Sequence, residues 1–185
     1  MKAVAGVDIG SLTAKTVLLD LQGQMLSYSI VAAGMVNRKA ARKCLTQAIR
    51  KAILRTSDIG SIVSTGYGRS LVKFGDRNIT EISCHARGAH WLMPHVRMVI
   101  DIGGQDSKVI LVDSEGRVAN FAMNDKCAAG TGRFLEVMSQ ALAVDLAAMG
   151  TLSLTSTNPA QVSSLCTVFA ESEIISLAAR GCPTV

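Results

Sequence analysis

The stretch that decides the fold is DIGSLTAKTVLLDLQG, residues Asp8–Gly23, because a related stretch, DIGGQDSKVILVDSEG, recurs at Asp101–Gly116. The two align without a gap at an offset of 93 residues, and seven of the sixteen positions are identical. A match of this length indicates an internal duplication rather than chance. We therefore predict two related domains, comprising residues 1–94 and 95–185.

Each repeat has the pattern of a β-hairpin followed by a third strand, since apolar runs alternate with an Asp-Ile-Gly turn and a second glycine turn. The predicted strands are Val4–Ile9, Thr16–Leu19, Met25–Val31 and Ile59–Thr65 in the first half, and Val96–Ile102, Val109–Val112 and Val118–Met123 in the second. Apolar spacing and end signals predict helices over Arg38–Thr56, Glu81–Leu92, Thr131–Ala143 and Thr167–Ala179. The sequence therefore predicts an α/β protein whose mixed sheets are flanked by helices.

Composition excludes several classes of protein. Apolar residues make up 49% of the 185 residues and charged residues 18%, a balance typical of a folded α/β chain and not of a disordered one. The net charge is +5, but aromatic residues make up only 4%, so we do not expect nucleic-acid binding. The longest uncharged stretch, Leu146–Ala170, is rich in Ser and Thr and contains Pro159, so no membrane span is expected.

The cysteines indicate a reducing compartment. The five (Cys44, Cys84, Cys127, Cys166 and Cys182) are odd in number, widely spaced and not preceded by a secretory signal. We therefore predict reduced thiols and a cytoplasmic protein. Their spacing alone does not announce a metal site, because none of them forms a C-x₂-C pair.

The turn after each Asp suits the binding of nucleotide phosphates, because glycine lets the backbone approach closely and successive N–H groups form an anion-binding concavity. The predicted phosphate-binding residues are Gly10, Ser11, Leu12, Thr13, Ala14 and Lys15 in one copy, and Gly103 and Gly104 in the other. Asp8 and Asp101, at the strand ends, could hold Mg²⁺ through its waters. Gln105 is a candidate for orienting the attacking water. The alternative is a purely structural hairpin in which Asp and Gly only shape the turn.

The sequence resembles a known superfamily at this point, the ribonuclease-H-like fold of actin, the 70-kDa heat-shock proteins and sugar kinases, whose duplicated domains each contribute a phosphate hairpin. MNDKCAAGTGRFLEVM at Met123–Met138 and SSLCTVFAESEIIS at Ser163–Ser176 are similar to signature stretches of the ATP-dependent activators of 2-hydroxyacyl-CoA dehydratases. TGYGR at Thr65–Arg69 and EISCHARGA at Glu81–Ala89 agree with the same family.

This resemblance implies a role for two cysteines and a set of partners. In the family, one cysteine of each signature stretch, here Cys127 and Cys166, ligates a single [4Fe–4S] cluster shared within a homodimer. The resemblance further implies Mg²⁺-dependent ATP hydrolysis and delivery of low-potential electrons to a 2-hydroxyacyl-CoA dehydratase or a related reductase. Reduced ferredoxin or flavodoxin is the implied electron donor.

Two rival functions stay open at the level of sequence. A small-molecule kinase of the same fold would need an acceptor pocket and would leave the cysteine motifs unexplained. A nucleotide-sensing module would bind nucleotide without turnover. Relative to the family pattern, the 185 residues stop before the later glycine-rich region that contacts adenosine, so we expect an incomplete second domain and an adenine site lacking some of its walls.

Overall fold

The computed structural model describes residues 2–33 and 38–182. The strands are β1 (Ala3–Ile9), β2 (Thr13–Leu19), β3 (Met25–Ala32), β4 (Ile59–Thr65), β5 (Arg77–Asn78), β6 (Met98–Ile102), β7 (Ser107–Val112) and β8 (Val118–Asn124). The α-helices are α1 (Arg38–Lys51), α2 (Glu81–Leu92), α3 (Gly132–Ala141), α4 (Leu146–Ser153) and α5 (Thr167–Ala179).

The first sheet is mixed and has the order β3-β2-β1-β4-β5. β1, β2 and β3 pair antiparallel through their hairpins, whereas β4 runs parallel to β1 and β5 runs parallel to β4. A parallel neighbour requires a crossover connection, and α1 lies in the connection between β3 and β4. This arrangement confirms the predicted α/β class with mixed, helix-flanked sheets.

One face of this sheet forms the main core. Val7, Ile9 and Leu18 are fully buried in a cluster with the apolar stripe of α1, which includes Leu45 and Ile49. Alternate residues of a strand point to one face, and the predicted helical spacing places the stripe of α1 opposite them. Burial of each such side chain contributes roughly 1.5–3 kcal/mol to stability.

The second sheet has the order β6-β7-β8. Ile110 and Val112 of β7 are buried with Ala86 of α2, and partly buried residues such as Val118 surround them. The helix α2 begins at Glu81 after Thr80, whose side chain accepts a hydrogen bond from the N–H of Ser83. That N-cap explains why the predicted start of this helix is correct.

The internal duplication recurs in the hydrogen bonds of the turns that follow β2 and β7. Asp20 accepts bonds from the N–H groups of Gln22 and Gln24, and at the same offset Asp113 accepts them from Glu115 and Arg117. The bond from the Arg117 N–H is the main cause that lowers the pKa of Asp113 below its ordinary value. The repeat therefore extends from residue identity to atomic contacts.

Two helices differ most from the sequence prediction, in addition to the short strand β5, which was not predicted, and small shifts in the bounds of further elements such as β2 and α3. The helix α1 ends at Lys51 and not at Thr56, because Ile53 adopts a left-handed conformation, with φ of 56°, and the N–H of Leu54 turns back to the carbonyl of Ile49. The second difference is α4, an unpredicted helix whose start is capped by the Asp145 side chain bonded to the N–H of Ala147. An uncharged stretch rich in Ser and Thr gave no helical signal there.

Contacts divide the chain into two compact units. One comprises the described residues up to Val99 together with Ile110–Asn120, and the other comprises Ile100–Val109 with the described residues from Phe121 onward. The predicted division of the duplicated domains at residue 94 stays a prediction, because spatial compactness does not define the ancestral repeat. Within residues 2–33 and 38–182 no single helix is long and apolar enough to cross a membrane; α3 and α4 meet that test only as a pair, bent by 87°.

Candidate functional site

The first glycine hairpin closes the end of β1 onto β2. The N–H of Gly10 donates to the carbonyl of Thr13 at 2.9 Å, and the N–H of Ala33 fastens the turn by donating to the carbonyl of Leu12 at 2.8 Å. Thr13 and Ala14 are the first residues of β2, and Ser11 lies in the turn itself. The backbone geometry of a tight glycine turn is therefore present where phosphate binding is predicted.

Asp8 and Lys15 face each other across this hairpin, since they are partners in the β1–β2 register. Lys15 Nζ lies 3.1 Å from Asp8 Oδ2, and the lysine side chain is 47% exposed. An exposed ammonium beside a glycine turn can contact an anion from solvent at little cost in desolvation. The predicted Mg²⁺-binding carboxylate and the predicted phosphate-binding lysine of the first hairpin thus form one ion pair at the turn.

The segment after β4 packs against the same hairpin. The N–H of Gly68 donates to the carbonyl of Ile9 at 2.8 Å, and Gly66 has φ of +85°. A side chain at Gly66 would collide with Asp8 Oδ1 and would approach the carbonyl oxygen of Ile9 to 2.6 Å. Only glycine combines this backbone conformation with such a close approach. Gly66 therefore packs closely against the first hairpin, a contact that the sequence analysis did not predict.

The second glycine hairpin repeats the first at the same offset. The N–H of Gly103 donates to the carbonyl of Asp106 at 2.8 Å, as Gly10 does to Thr13. Lys108 Nζ lies 3.3 Å from Asp101 Oδ2 and 2.8 Å from Asp106 Oδ1, and its side chain is only 2% exposed. Gln105, the predicted water-orienting residue, is exposed in the turn. Asp106 and the burial of Lys108 were not predicted.

The start of α3 is joined to this second hairpin. The N–H of Gly132 donates to the carbonyl of Gly103 at 2.9 Å, and the N–H of Arg133 donates to the carbonyl of Gly104 at 2.8 Å. These are two of the N–H groups that a helix leaves without intrahelical partners. The predicted phosphate hairpin and the helix that follows Cys127 are thus linked by backbone bonds.

The two predicted cluster cysteines lie in segments that contact each other, although 39 residues separate them in sequence. Cys127 Sγ lies 3.3 Å from the carbonyl oxygen of Leu165, the immediate neighbour of Cys166. The N–H of Ala129 donates to Cys127 Sγ at 3.4 Å. Cys166 is the N-cap residue of α5, and both cysteines are partly exposed. Two accessible sulfur ligands, one with a backbone donor, fit an iron–sulfur cluster.

Side chains on neighbouring elements hold both cysteine segments. The amide Nδ2 of Asn124 donates to the carbonyl of Cys127 at 3.2 Å, and the carboxylate of Glu173 accepts a 2.6 Å bond from the N–H of Ser163. No spacing rule indicates these contacts. In the described part of the chain, no group of three or more His, Cys, Asp or Glu side chains is placed to hold a metal ion.

The strand order and the two glycine hairpins define an actin-like α/β protein of the ribonuclease-H-like class. More specifically, the chain belongs to the BadF/BadG/BcrA/BcrD ATPase family, whose model matches residues 5–183.

Three relatives illustrate this membership. The 2-hydroxyisocaproyl-CoA dehydratase activator of Clostridioides difficile is 46% identical over 171 residues, which are 92% of this chain and 64% of that protein. The crystal structure of (R)-2-hydroxyglutaryl-CoA dehydratase component A from Acidaminococcus fermentans matches with a TM-score of 0.93 and 42% identity, covering 100% of this chain and 71% of the other. The structure of the Clostridium difficile 2-hydroxyisocaproyl-CoA dehydratase activator with bound ADPNP gives 0.90 and 44%, covering 97% and 66%. This chain thus spans about two thirds of the length of such relatives.

Proposed function

We propose that this chain is the phosphate- and cluster-binding part of an ATP-hydrolysing iron–sulfur activator. Its role would be to deliver low-potential electrons to a 2-hydroxyacyl-CoA dehydratase or a related reductase. The observation that carries the proposal is the pair of bonds from Gly132 and Arg133 to Gly103 and Gly104, because they join a phosphate hairpin to the helix that follows a cluster cysteine. A protein that couples nucleotide to a redox centre needs such a link.

Phosphate binding would involve the two glycine hairpins and Lys15, the exposed lysine of the first hairpin. In each hairpin, backbone N–H groups of the glycine turn would donate to phosphate oxygens. Lys15 adds an accessible positive charge to the first hairpin. The matched relative that binds ADPNP, a nonhydrolysable analogue of ATP, supports a nucleotide as the ligand. Gly10–Lys15 and Gly103–Gly104 would contact phosphate oxygens, and Gln105 would orient the attacking water.

Magnesium would be held by Asp8 and Asp101. Each aspartate is the penultimate residue of its strand, beside a glycine turn, and in each the Oδ2 atom is paired with a lysine. Oxygen ligands of this kind suit Mg²⁺, which keeps several of its own waters. When bound, the ion would neutralise charge that develops on the phosphates. The two aspartates would orient its water shell and hold their lysines in register.

The cluster would be held by Cys127 and Cys166. A [4Fe–4S] cluster takes about four thiolate ligands, so two chains that each supply two cysteines would complete it as a homodimer. The cluster would supply one-electron redox chemistry. The N–H of Ala129 donates to the Cys127 sulfur and so favours negative charge on it. The helix α5 begins directly after Cys166, and its dipole would favour negative charge there. Reduced ferredoxin or flavodoxin would donate the electron that reduces the oxidised cluster again.

The test measures phosphate release from ATP by anaerobically purified protein, without any added acceptor. We expect Mg²⁺-dependent hydrolysis with ADP and phosphate formed in equal amounts, because water is the acceptor. A kinase of the same fold would form ADP only when a small hydroxylated acceptor is added. A nucleotide-sensing module would bind ADPNP but would release no phosphate from ATP. The kinase result or the sensing result would overturn the proposal.

A further inference from the structure

Two loops carry the predicted cluster cysteines. The first runs from the end of β8 to the start of α3 and contains Cys127, and the second runs from the end of α4 to the start of α5 and ends at Cys166. A loop lacks the regular backbone hydrogen bonds that fix a strand or a helix. The positions of the two sulfurs therefore depend on the other groups that bond to these loops.

Asn124 is bonded twice to the loop that contains Cys127. It is the last residue of β8, its Nδ2 donates to the carbonyl of Cys127 at 3.2 Å, and its Oδ1 accepts from the N–H of Lys126 at 3.4 Å. On the other side of the cysteine, the N–H of the buried Thr131 donates to the carbonyl of Ala128 at 3.0 Å. The backbone at Cys127 is therefore held from both sides.

Glu173 is bonded to the loop that ends at Cys166. Its carboxylate accepts from the N–H of Ser163 at 2.6 Å, and Ser163 Oγ accepts in turn from the N–H of Leu165 at 3.4 Å. The carbonyl oxygen of Leu165 is the atom that lies 3.3 Å from Cys127 Sγ. A series of hydrogen bonds therefore runs from α5 through the second loop to the sulfur in the first. Its shortest member has a charged acceptor, which makes it the strongest.

From these contacts we infer that Asn124 and Glu173 are positioning residues for the cluster, because they hold the backbone of the two cysteine loops in the conformation that binds iron. A loop that is ordered before its ligand arrives does not have to lose conformational entropy on binding. Groups that orient metal ligands without touching the metal typically change its affinity by about 10–100-fold. The inference rests on the proposed function, since it assumes that Cys127 and Cys166 hold a cluster.

The first test is the rate at which excess chelator removes iron from anaerobically purified protein, followed by the loss of visible absorption. Asn124→Asp keeps the acceptor for Lys126 but replaces the donor to the Cys127 carbonyl with a carboxylate oxygen. We expect iron to leave this variant at least about tenfold faster than it leaves the wild type. Gln140→Glu is the matched control, because it also turns an amide into a carboxylate, at an exposed position of α3 in the same unit. It should release iron at the wild-type rate.

The second test separates the hydrogen bond of Glu173 from its charge. Glu173→Ala removes both, and we expect iron release to become about tenfold faster. Glu173→Gln keeps an oxygen that can accept from the Ser163 N–H, so its release rate should stay within about threefold of the wild type. Glu171→Ala is the control, since it removes an acidic side chain of the same helix that lies outside the series of bonds. It should leave the rate unchanged.

Circular dichroism of each iron-free protein shows whether it is folded. If Asn124→Asp does not fold, the comparison of Glu173→Ala with Glu173→Gln decides, and equal release rates for that pair overturn the inference. Wild-type rates in both Asn124→Asp and Glu173→Ala also overturn it, as does equally fast release from the control variants. If the wild type itself contains no iron, the proposed function fails.

Discussion

Cys127→Ser and Cys166→Ser each remove the visible charge-transfer absorption and most of the iron from anaerobically purified protein. Serine oxygen is a poor substitute for a thiolate toward iron, and each change in a dimer removes two of about four ligands at once. We expect at least about a tenfold loss of bound iron, measured by colorimetric iron determination and the visible spectrum. The fold should survive, because both cysteines are partly exposed and lie outside the buried clusters.

Cys44→Ser is the control for this prediction. Cys44 is buried on α1, and its Sγ donates to the carbonyls of Ala14 and Ser29 at 3.3 Å and 3.1 Å, bonds that a serine hydroxyl can also make. The spectrum of this variant should match the wild type. A Cys127→Ser protein with an unchanged spectrum and full iron content would show that the contact with Leu165 is only structural.

Asp8→Asn and Asp101→Asn each lower Mg²⁺-dependent phosphate release by at least about tenfold, the order expected when a group that organises phosphate charge is removed. Both substitutions keep the shape of the side chain but remove the charge that would hold the ion's water shell. In Asp101→Asn, Asp106 still pairs with the buried Lys108, so the chain retains a partner for that ammonium. Steady-state hydrolysis at saturating nucleotide is the measurement.

The matched control is Asp20→Asn, at the opposite end of the first hairpin. Asp20 Oδ1 accepts bonds from Gln22 and Gln24 at 2.9 Å and 2.8 Å, and an asparagine oxygen can accept the same bonds. Its hydrolysis rate should equal that of the wild type. Iron content should be normal in all three variants. Normal hydrolysis in both Asp8→Asn and Asp101→Asn would show that the two Asp-Ile-Gly turns have only a structural role.

Much of the fold is predictable because the duplication is visible in the sequence. Three elements have the predicted bounds, because the spacing of their apolar residues and the signals at their ends agree. They are β4 (Ile59–Thr65), α2 (Glu81–Leu92) and α5 (Thr167–Ala179). The predicted C-terminal end of α1 was wrong. An isoleucine, and not a glycine, takes the left-handed conformation that follows the end of the helix. Sequence patterns have no rule for an exposed β-branched residue in that conformation.

The candidate site is predictable only in its local parts. The glycine turns follow from the repeated Asp-Ile-Gly motif. The burial of Lys108 depends on which face of β7 is covered, and that is a property of packing. The contact between Cys127 and Leu165 joins residues 38 apart in sequence, a separation that no ligand-spacing motif describes. Resemblance to the family supplied the cluster role, whereas only the coordinates could reveal Asp106 beside Gly103.

Native mass spectrometry of anaerobically purified protein tests the central claim most directly, since it reports subunit number and bound iron in one measurement. We expect a dimer that carries one [4Fe–4S] cluster, about four irons per two chains. The mass of Cys127→Ser, whether dimer or monomer, should lack the contribution of the iron–sulfur cluster. A monomer that holds a complete cluster, or a dimer free of iron whose hydrolysis is undiminished, would contradict the central claim.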